Sequence, residues 1–514
     1  MATNPSETTS SFHLTNTRQI SFLITVSLVL LVDYLFYAHP LGINIPLFLV
    51  AMALSIVATQ PEKVSAPPLL QGALVLIILL LPGVEATTPL SIVLGTFGLL
   101  VFTLFARHAG SKDIFTMVAG AVKLLPLTLQ SLVQELGAAR AHSKTMDVRK
   151  RSAGFGRNWF LPIVLTLLFL ALFIVANPIF EGMIASIDIW KIFAYFDGMR
   201  LLFWVLIGAL SFGYLRVAPA RQHKGETGAP LLLSKETKVS RSRFMNEAQI
   251  VRSLLLFNLL FAIQTALDVT YLWGGMKLPD GMSYADYAHR GAYALIITAL
   301  LAAAFVLYAS GKSTADRASP FKQGLLLLWT VQNVALVLSS VMRLSLYVDI
   351  YALTYWRIAA FIWMMIVFAG LVLIGVRILL TKTNRWLISA NLWVLITVLY
   401  VTSFINIPAL IAQHNVSVAI SGKGAGLDTP YLISLGEEAI PAIDRLLERN
   451  AGGAMSDRSR WSSAAFASQR DTLVADFIEG QREWRLWNLR RMHLKDYLED
   501  YDRKQANRPD ADIY

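Results

Sequence analysis

The sequence predicts an all-α protein: a polytopic transmembrane helix bundle of about eleven spans, followed by a small helical tail. Apolar side chains make up 55% of the 514 residues and charged ones only 15%, whereas a soluble domain has about 25% charged residues. The apolar residues form runs of about 20, the length of a helix that crosses a bilayer. Lys and Arg lie mainly between these runs, as membrane topology requires. The net charge of +11 therefore indicates a lipid bilayer as partner, and no nucleic acid.

The apolar runs divide the chain into a cytoplasmic segment (1–18), a four-span part (19–106) and a seven-span part (159–411). Pro82 is expected to end the third span, and Pro408 to kink the last one. The predicted spans are 19–37, 41–59, 68–84, 89–106, 159–177, 199–217, 250–272, 291–309, 323–346, 353–376 and 386–411.

The distribution of basic residues predicts the orientation of the spans. With the N-terminus inside, the inside connections hold 24 Lys and Arg residues and the outside connections hold four. The opposite orientation would reverse this bias, which runs against the positive-inside rule. We therefore expect a multi-pass protein of the bacterial inner (cytoplasmic) membrane, with its C-terminal tail in the periplasm.

Two connections have helical character of their own. The basic inside connection 107–158 contains Ile114 to Leu136, where apolar residues recur at helical spacing. This segment is either an amphipathic helix in the membrane interface or a cytoplasmic helix packed under the bundle. The outside connection 178–198 is rich in aromatic residues and is expected to lie in the outer interface, where Trp and Tyr are favoured.

The tail, residues 412–514, has a different composition from the spans. Residues 413–514 hold 14 Lys and Arg against 16 Asp and Glu, so the charge is nearly balanced. Segments 428–450 and 465–503 have helical patterning. The tail is therefore predicted to be a helical periplasmic region. About 100 residues suffice for a small independent domain, but its amphipathic faces are equally suited to docking on the membrane part.

Charged residues within spans are the first candidates for a functional site, because a charge in lipid is costly. The topology places Asp33, Asp268, Arg343 and Arg357 near the outer ends of their spans, and Asp349 in a short connection beside them. We expect a polar cluster at this depth. It is either an ion-pair network that fixes helix register, a set of charges that reach separately to the interface, or a binding site for a substrate or ion.

A second pattern precedes three inward-running spans, where an aromatic residue is followed by Asp and then Arg. It indicates either duplicated helix hairpins or convergent chemistry at the interface. The loop 274–291 also contains His289, which has acidic neighbours. It is either a polar tip at the interface or a group that titrates near neutrality. Asp286, His289 and Arg290 complete the candidate binding residues. The three occurrences are Tyr195-Asp197-Arg200, Tyr284-Asp286-Arg290 and Tyr347-Asp349-Arg357.

The sequence lacks the residues and motifs that several classes of enzyme and metal site require. The absence of cysteine excludes disulfides, thiolate metal sites and a cysteine nucleophile. No GxxxxGK[ST], HExxH or GxSxG motif occurs. We therefore predict no catalytic residue, no metal and no cofactor, and expect a non-enzymatic protein.

Three stretches of the chain resemble a bacterial multi-pass membrane family. They are YLWGGMKLPDGMSYADYAHRGAYAL, MRLSLYVDIYALTYWRIAAFIWM and LDTPYLISLGEEAIPAI. The family is domain of unknown function 4173, and the resemblance covers roughly residues 70 to 445. It implies a polytopic membrane protein with a similar loop, an Arg-containing span and a short tail. It implies no activity, cofactor or catalytic residue.

Three functions are compatible with these features. The first is a non-enzymatic envelope component that senses or assembles with protein partners. The second is a transporter-like or channel-like protein with an outer-leaflet polar site for a small solute. The third is an enzyme acting on a lipid-linked substrate, since arginines suit phosphate headgroups and an Asp–His pair suits acid–base work. Its site would lie near Asp268, His289, Arg290 and Arg357.

Overall fold

The computed structural model describes residues from most parts of the chain, with gaps. All regular elements within the described residues are helical, and no strand occurs among them, which confirms the all-α class. The described residues are 5–60, 66–107, 110–111, 113–145, 198–217, 247–273, 301, 305, 320–422, 426–451 and 463–506.

Fifteen α-helices follow one another along these described residues. The N-terminal ones are α1 (Pro5–Phe36), α2 (Asn44–Ala58), α3 (Ala66–Glu85), α4 (Pro89–Ala106), α5 (Ile114–Thr145), α6 (Gly198–Arg216) and α7 (Glu247–Asp268). The later ones are α8 (Pro320–Tyr351), α9 (Tyr355–Leu379), α10 (Asn384–Ser403), α11 (Ile407–Ile420), α12 (Thr429–Ser434), α13 (Ile440–Ala451), α14 (Ser463–Gly480) and α15 (Leu489–Ala506).

The polytopic architecture is confirmed by the length and composition of these helices. Within the described ranges, nine helices are long and apolar enough to cross a membrane: α1, α3 to α8, α9 and α10. The helices α2 and α11 are apolar but shorter. The predicted spans 159–177 and 291–309 lie outside the described residues, apart from Leu301 and Phe305.

The last predicted span, 386–411, is wrong as a single helix. The structure has two helices, α10 and α11, with a break between Ser403 and Ile407. The Asn406 side chain accepts a hydrogen bond from the Ala409 backbone N–H at 3.1 Å and so caps α11. Pro408 lies in the first turn of α11, where its missing N–H costs no helical hydrogen bond. Pro408 therefore begins a helix instead of kinking one.

The chain forms two compact units. The first comprises residues 1–78, 96–110 and 118–222, and the second comprises residues 79–95, 111–117 and 223–514. Each is described by itself below. The division of the chain at residues 106, 158 and 411 stays a prediction.

In the first unit, α5 lies across the ends of α4 and α6. Thr103 and the Tyr214 hydroxyl share a 2.6 Å hydrogen bond, which places the last turns of α4 and α6 at one level. A Cβ on Gly120 would lie 3.1 Å from Leu104 in α4, and one on Gly213 would lie 2.9 Å from the carbonyl oxygen of Thr128. Gly120 and Thr128 are eight residues apart, about 12 Å along a helix.

This geometry bears on the role predicted for the segment from Ile114. An antiparallel return along α4 would carry Thr128 far from the ends of α4 and α6, yet the Ser131 hydroxyl donates to the carbonyl of Gly213 at 2.6 Å. By length and composition, α5 is also one of the helices that could span a bilayer. The interfacial or cytoplasmic role of this segment therefore stays a prediction.

In the second unit, α7 and α8 run parallel and pack along their length. The Asn258 side-chain amide donates to the Leu325 carbonyl at 3.2 Å, and ten residues further on Asp268 meets Arg343. Next to the Asn258 contact, the ring centroids of Phe257 and Phe261 lie 5.3 and 5.8 Å from that of Trp329. Helix α9 packs on α8, and α10 packs on α9.

The C-terminal region, α11 to α15, docks on the α8–α9 hairpin. Buried residues at the hairpin tip share one hydrophobic core with α11 to α14. Asn415 in α11 holds both backbone groups of Leu353, accepting from its N–H at 2.7 Å and donating to its carbonyl at 3.0 Å. Of the two arrangements considered for the tail, the structure shows the tail docked on the α8–α9 hairpin. The shared core contains Val348, Leu353, Ile358, Ile411, Val416, Leu432, Ala439, Ile443, Leu446 and Phe466.

A buried polar contact joins the last three helices. Asp444 in α13 accepts hydrogen bonds from Arg470 in α14 at 2.7 and 3.3 Å and from the Tyr497 hydroxyl in α15 at 3.1 Å. Burial and the neighbouring Asp444 carboxylate raise the pKa of Tyr497. Beside this contact lies a second apolar core of Ile440, Phe477, Leu494 and Leu498.

Candidate functional site

A buried ion pair joins the two parallel helices α7 and α8. Arg343 Nη2 donates to Asp268 Oδ1, and Gln264 Nε2 donates to the same oxygen at 3.0 Å. The side chains of Asp268 and Arg343 are only 1% and 5% exposed. Removing two charges from water costs several kcal/mol per ion, so the pair depends on its mutual attraction. Ionisable residues buried in membrane-spanning helices are by default candidates for function.

The backbone changes its winding directly after Asp268. Residues Val269–Trp273 form a π-helical turn, a geometry found frequently at functional sites. The Trp273 indole N–H donates to the Ser339 hydroxyl at 3.3 Å, and Ser339 lies one helical turn before Arg343. The turn therefore fixes α7 to α8 a second time, next to the ion pair.

Polar contacts continue from the ion pair towards the middle of the spans. Asn258 Nδ2 donates to the carbonyls of Leu254 at 2.7 Å and Leu325 at 3.2 Å, and Gln332 Nε2 donates to the Asn258 carbonyl at 3.1 Å. Asn258 precedes Asp268 by ten residues, about 15 Å of helix. We call this row the polar seam. It consists of Asn258, Gln264, Asp268, Gln332, Asn333, Ser339 and Arg343.

The inner part of the polar seam offers acceptor oxygens. The side-chain oxygens of Asn258, Gln332 and Asn333 are buried and have no hydrogen-bond partner among the described residues. Each side-chain nitrogen is held by a backbone carbonyl; that of Asn333 donates to Trp329 at 2.7 Å. The nitrogens fix the amide orientation, so the oxygens are the groups left for a donor. Burying an acceptor without a donor costs about 1–3 kcal/mol.

Asp33 belongs to the first unit and has its own arginine. Arg200 Nε and Nη2 donate to the two Asp33 oxygens at 2.8 and 2.5 Å, and the Trp204 indole donates at 2.8 Å. The Arg200 guanidinium also lies over the Tyr37 ring, 5.0 Å from its centroid. The Asp33 and Arg200 side chains are 14% and 45% exposed. Within the predicted cluster the structure thus pairs only Asp268 with Arg343, whereas Asp33 pairs with Arg200, a residue outside that cluster.

Arg357 caps a helix in this structure. Its Nη1 donates to the carbonyl of Tyr351 at 2.6 Å and to that of Ala352, where α8 ends and its last carbonyls lack helical partners. Its guanidinium lies 4.5 Å from the ring centroid of Tyr347. Asp349 is exposed. The structure therefore gives Arg357 a structural contact of its own, beside its predicted role in binding.

The remaining predicted residues cannot be placed. Asp286, His289 and Arg290, with the whole loop 274–291, lie outside the described residues, and so does the connection 178–198 apart from Gly198. Sequence reasoning missed Ser339 and the pairing of Arg200 with Asp33. The signal for Arg200 was present, since the aromatic–Asp–Arg pattern had singled it out at the start of its span.

The second unit contains a further ion pair, between Asp113 and Arg385 at the start of α10. Asp113 accepts hydrogen bonds from Arg385 Nη2 at 2.9 Å and from the Thr116 hydroxyl at 2.7 Å. Partial burial alone would raise the pKa of the Asp113 carboxyl, but these donors outweigh it and lower the pKa to about 2. In the part of the chain that the structure describes, no group of three His, Cys, Asp or Glu side chains is arranged to hold a metal ion.

Comparison with known families decides the relationship. The family model Domain of unknown function (DUF4153) matches residues 45–446. The chain belongs to the DUF4153 family. The expected membership of a membrane family of unknown function is thus confirmed, whereas the resemblance to domain of unknown function 4173 is not. No curated protein and no solved structure matches the chain. The DUF4153 match includes the polar seam, the hairpin tip and most of α13, but begins after Asp33.

Proposed function

We propose that this DUF4153 protein is a non-enzymatic component of the bacterial cell envelope that senses a change in the membrane and transmits it to its C-terminal region. One observation carries the proposal. Helix α8 contains both Arg343 of the polar seam and Val348 of the core shared with the C-terminal helices. The two residues are five positions apart, about 7.5 Å along the helix axis.

The packing explains how a change at the ion pair would travel. Protein cores are close-packed and transmit strain instead of absorbing it. A ligand, proton or partner that competes for Asp268 would release Arg343, and α8 would lose a contact that holds it against α7. Because Asn415 clamps Leu353 just beyond the end of α8, a shift of α8 would move α11 with it.

The test is hydrogen–deuterium exchange on the full chain reconstituted in nanodiscs. In Arg343→Gln we expect faster exchange in α11 and α13, which are far from the substitution in sequence but coupled to it by the shared core. Asp268→Asn, which keeps the side-chain shape, should act in the same direction. The matched control is Arg385→Gln, which breaks the exposed pair with Asp113 and should leave α11 and α13 unchanged.

Two outcomes would overturn this proposal. One is unchanged exchange in α11 and α13 when both seam variants are folded and inserted. The other is an equal increase in the Arg385→Gln control, since this would indicate general loosening of the protein. Periplasmic placement of the C-terminal region is part of the proposal, and a topology reporter fused after residue 506 tests it separately.

A transporter-like or channel-like function is the second candidate, and the acceptor oxygens of the polar seam favour it. The seam extends from the middle of α7 to its end, and its inner oxygens suit a small cation or a proton donor. Uptake of protons, Na⁺ and K⁺ into proteoliposomes would test it. A flux lost in Asn258→Leu supports transport; no flux of any of the three through the unaltered protein contradicts it. The third hypothesis, an enzyme, depends on His289 and Arg290 outside the described residues.

A further inference from the structure

A short turn between α14 and α15 lies beside the ends of two membrane-spanning helices. This tryptophan turn, residues 481–488, leads directly into Arg490 of α15. Arg490 Nε donates to the Glu85 carboxylate at 3.3 Å, and its Nη2 donates to the Ser403 carbonyl at 3.2 Å. Glu85 and Ser403 are the last residues of α3 and α10. Arg490 therefore marks the level at which membrane-spanning helices end.

The tryptophan turn exposes large aromatic side chains at this level. Trp484 and Trp487 are 43% and 44% exposed. Trp487 precedes Arg490 by three residues, so about 10 Å of chain at most separates them. Phe404 and Ile405, which directly follow Ser403, are exposed as well. Tryptophan is enriched where an apolar ring and a polar N–H meet the membrane–water interface.

Three of the four arginines around the tryptophan turn are paired with glutamates within the protein. Their N–O distances are 2.6 to 3.3 Å, and the partners come from three different segments. The fourth, Arg482, is exposed, so the surface of the turn carries less positive charge than its sequence suggests but keeps one exposed arginine. The pairs are Arg485–Glu483, Arg490–Glu85 and Arg491–Glu437.

We propose that the tryptophan turn anchors the C-terminal region to the phospholipid headgroup layer, with Trp484 and Trp487 inserted irrespective of headgroup charge. The location at the helix ends supplies the membrane as partner, and the exposed rings supply the apolar contact. The internal ion pairs reduce the electrostatic contribution that polybasic surfaces use, because a single exposed arginine, Arg482, remains at the turn. This proposal is independent of the sensing function and of the side of the membrane on which the turn lies.

The absence of cysteine from the chain makes single-site spin labelling straightforward. Trp487→Cys is labelled with a nitroxide in the full chain, with Trp484 retained, and compared with Asp502→Cys on the exposed face of α15. Proteins are placed in nanodiscs of phosphatidylcholine alone or with phosphatidylglycerol. Collision with oxygen, which concentrates in lipid, is measured against collision with a water-soluble nickel complex.

We expect the label at 487 to collide preferentially with oxygen in both lipid compositions, and the label at 502 to show the reverse ratio. Preference for the nickel complex at 487 would overturn the anchor. So would oxygen contact that requires phosphatidylglycerol, because this would indicate electrostatic binding. Exclusion of both reagents at 487 would also overturn it, since a protein surface would then cover the turn. Trp484→Cys provides a second label site if Trp487→Cys fails to fold.

Discussion

Two Asp–Arg pairs in membrane-spanning helices of this protein have the same chemistry and very different surroundings. Asp268 and Arg343 are 1% and 5% exposed and share their contact with Gln264. Asp33 and Arg200 are 14% and 45% exposed, and Arg200 makes a two-point contact supported by Trp204. The comparison predicts that the energetic role of a charged residue in a span depends on the solvent exposure of its partner and not on its depth alone.

The largest effect is expected for Arg343→Leu. This change leaves the Asp268 carboxylate buried without its arginine, which costs about 3–5 kcal/mol. Chemical unfolding in detergent micelles measures the loss. The double variant Asp268→Leu with Arg343→Leu removes both charges and should recover most of it. If Arg343→Leu loses as little stability as Arg200→Leu, the proposed difference between the buried and the exposed pair is contradicted.

A buried contact without charge should have an intermediate effect. Asn415→Ala leaves the N–H and carbonyl of Leu353 buried without partners, at a cost of about 1–3 kcal/mol. The same unfolding experiment applies, with Gln413→Ala on the exposed face of α11 as control. If Asn415→Ala lowers the stability as much as Arg343→Leu does, charge contributes little beyond hydrogen bonding. The difference between the two Asp–Arg pairs would then not come from buried charge.

Arg200→Leu should be milder still. The Asp33 carboxylate it leaves behind can reach solvent or headgroups, so we expect a loss of about 1 kcal/mol, in the range of exposed pairs. Arg200→Lys keeps the charge but loses the two-point geometry and the ring contacts. Its loss of stability should be smaller than that of Arg200→Leu but still measurable. A loss from Arg200→Leu close to that of Arg343→Leu would show that 45% exposure does not weaken the pair.

The smallest effect belongs to the exposed pair of Asp113 and Arg385, and it depends on pH. The pKa of Asp113 is lowered from 3.8 to about 2, so its stabilisation is present above pH 3.8 and is lost as the pH falls through 2. The side chains are 30% and 62% exposed, which limits the contribution to below about 1 kcal/mol. Asp113→Asn should therefore be slightly less stable than the unaltered protein at pH 6, and the difference should shrink below pH 3.8 and vanish only below pH 2.

The sequence predicted the membrane helices well, because about 20 apolar residues in a row leave few alternatives to a span. It failed at Pro82, which lies inside α3 instead of ending it. It also failed at Pro408, where a proline alone does not distinguish a kink from a break. The deciding residue is Asn406, whose side chain caps the new helix. A capping contact requires the chain to have already turned there, so it is visible in the structure and ambiguous in the sequence.

The candidate site was only partly predictable for a similar reason. Topology gives the depth of a residue along its span but not the neighbour it faces, so Asp33 was grouped with Asp268 and Arg343 when its partner is Arg200. The structure pairs Asp268 with Arg343, while a binding role for this pair stays a prediction. The Ser339 contact was missed because serines are common in spans and its partner, Trp273, lies in a π-helical turn that has no sequence signature.

The tip of the α8–α9 hairpin has a further consequence. Arg357 covers the last carbonyls of α8, and Asn415 covers both backbone groups of Leu353. Ala352 meanwhile adopts a left-handed conformation, with φ of 66°. Loops usually tolerate inserted residues because water replaces whatever contact is lost. Here an insertion would shift every donor and acceptor out of register at once, so this three-residue connection should reject fusion tags and proteolytic nicking as firmly as a helix interior does.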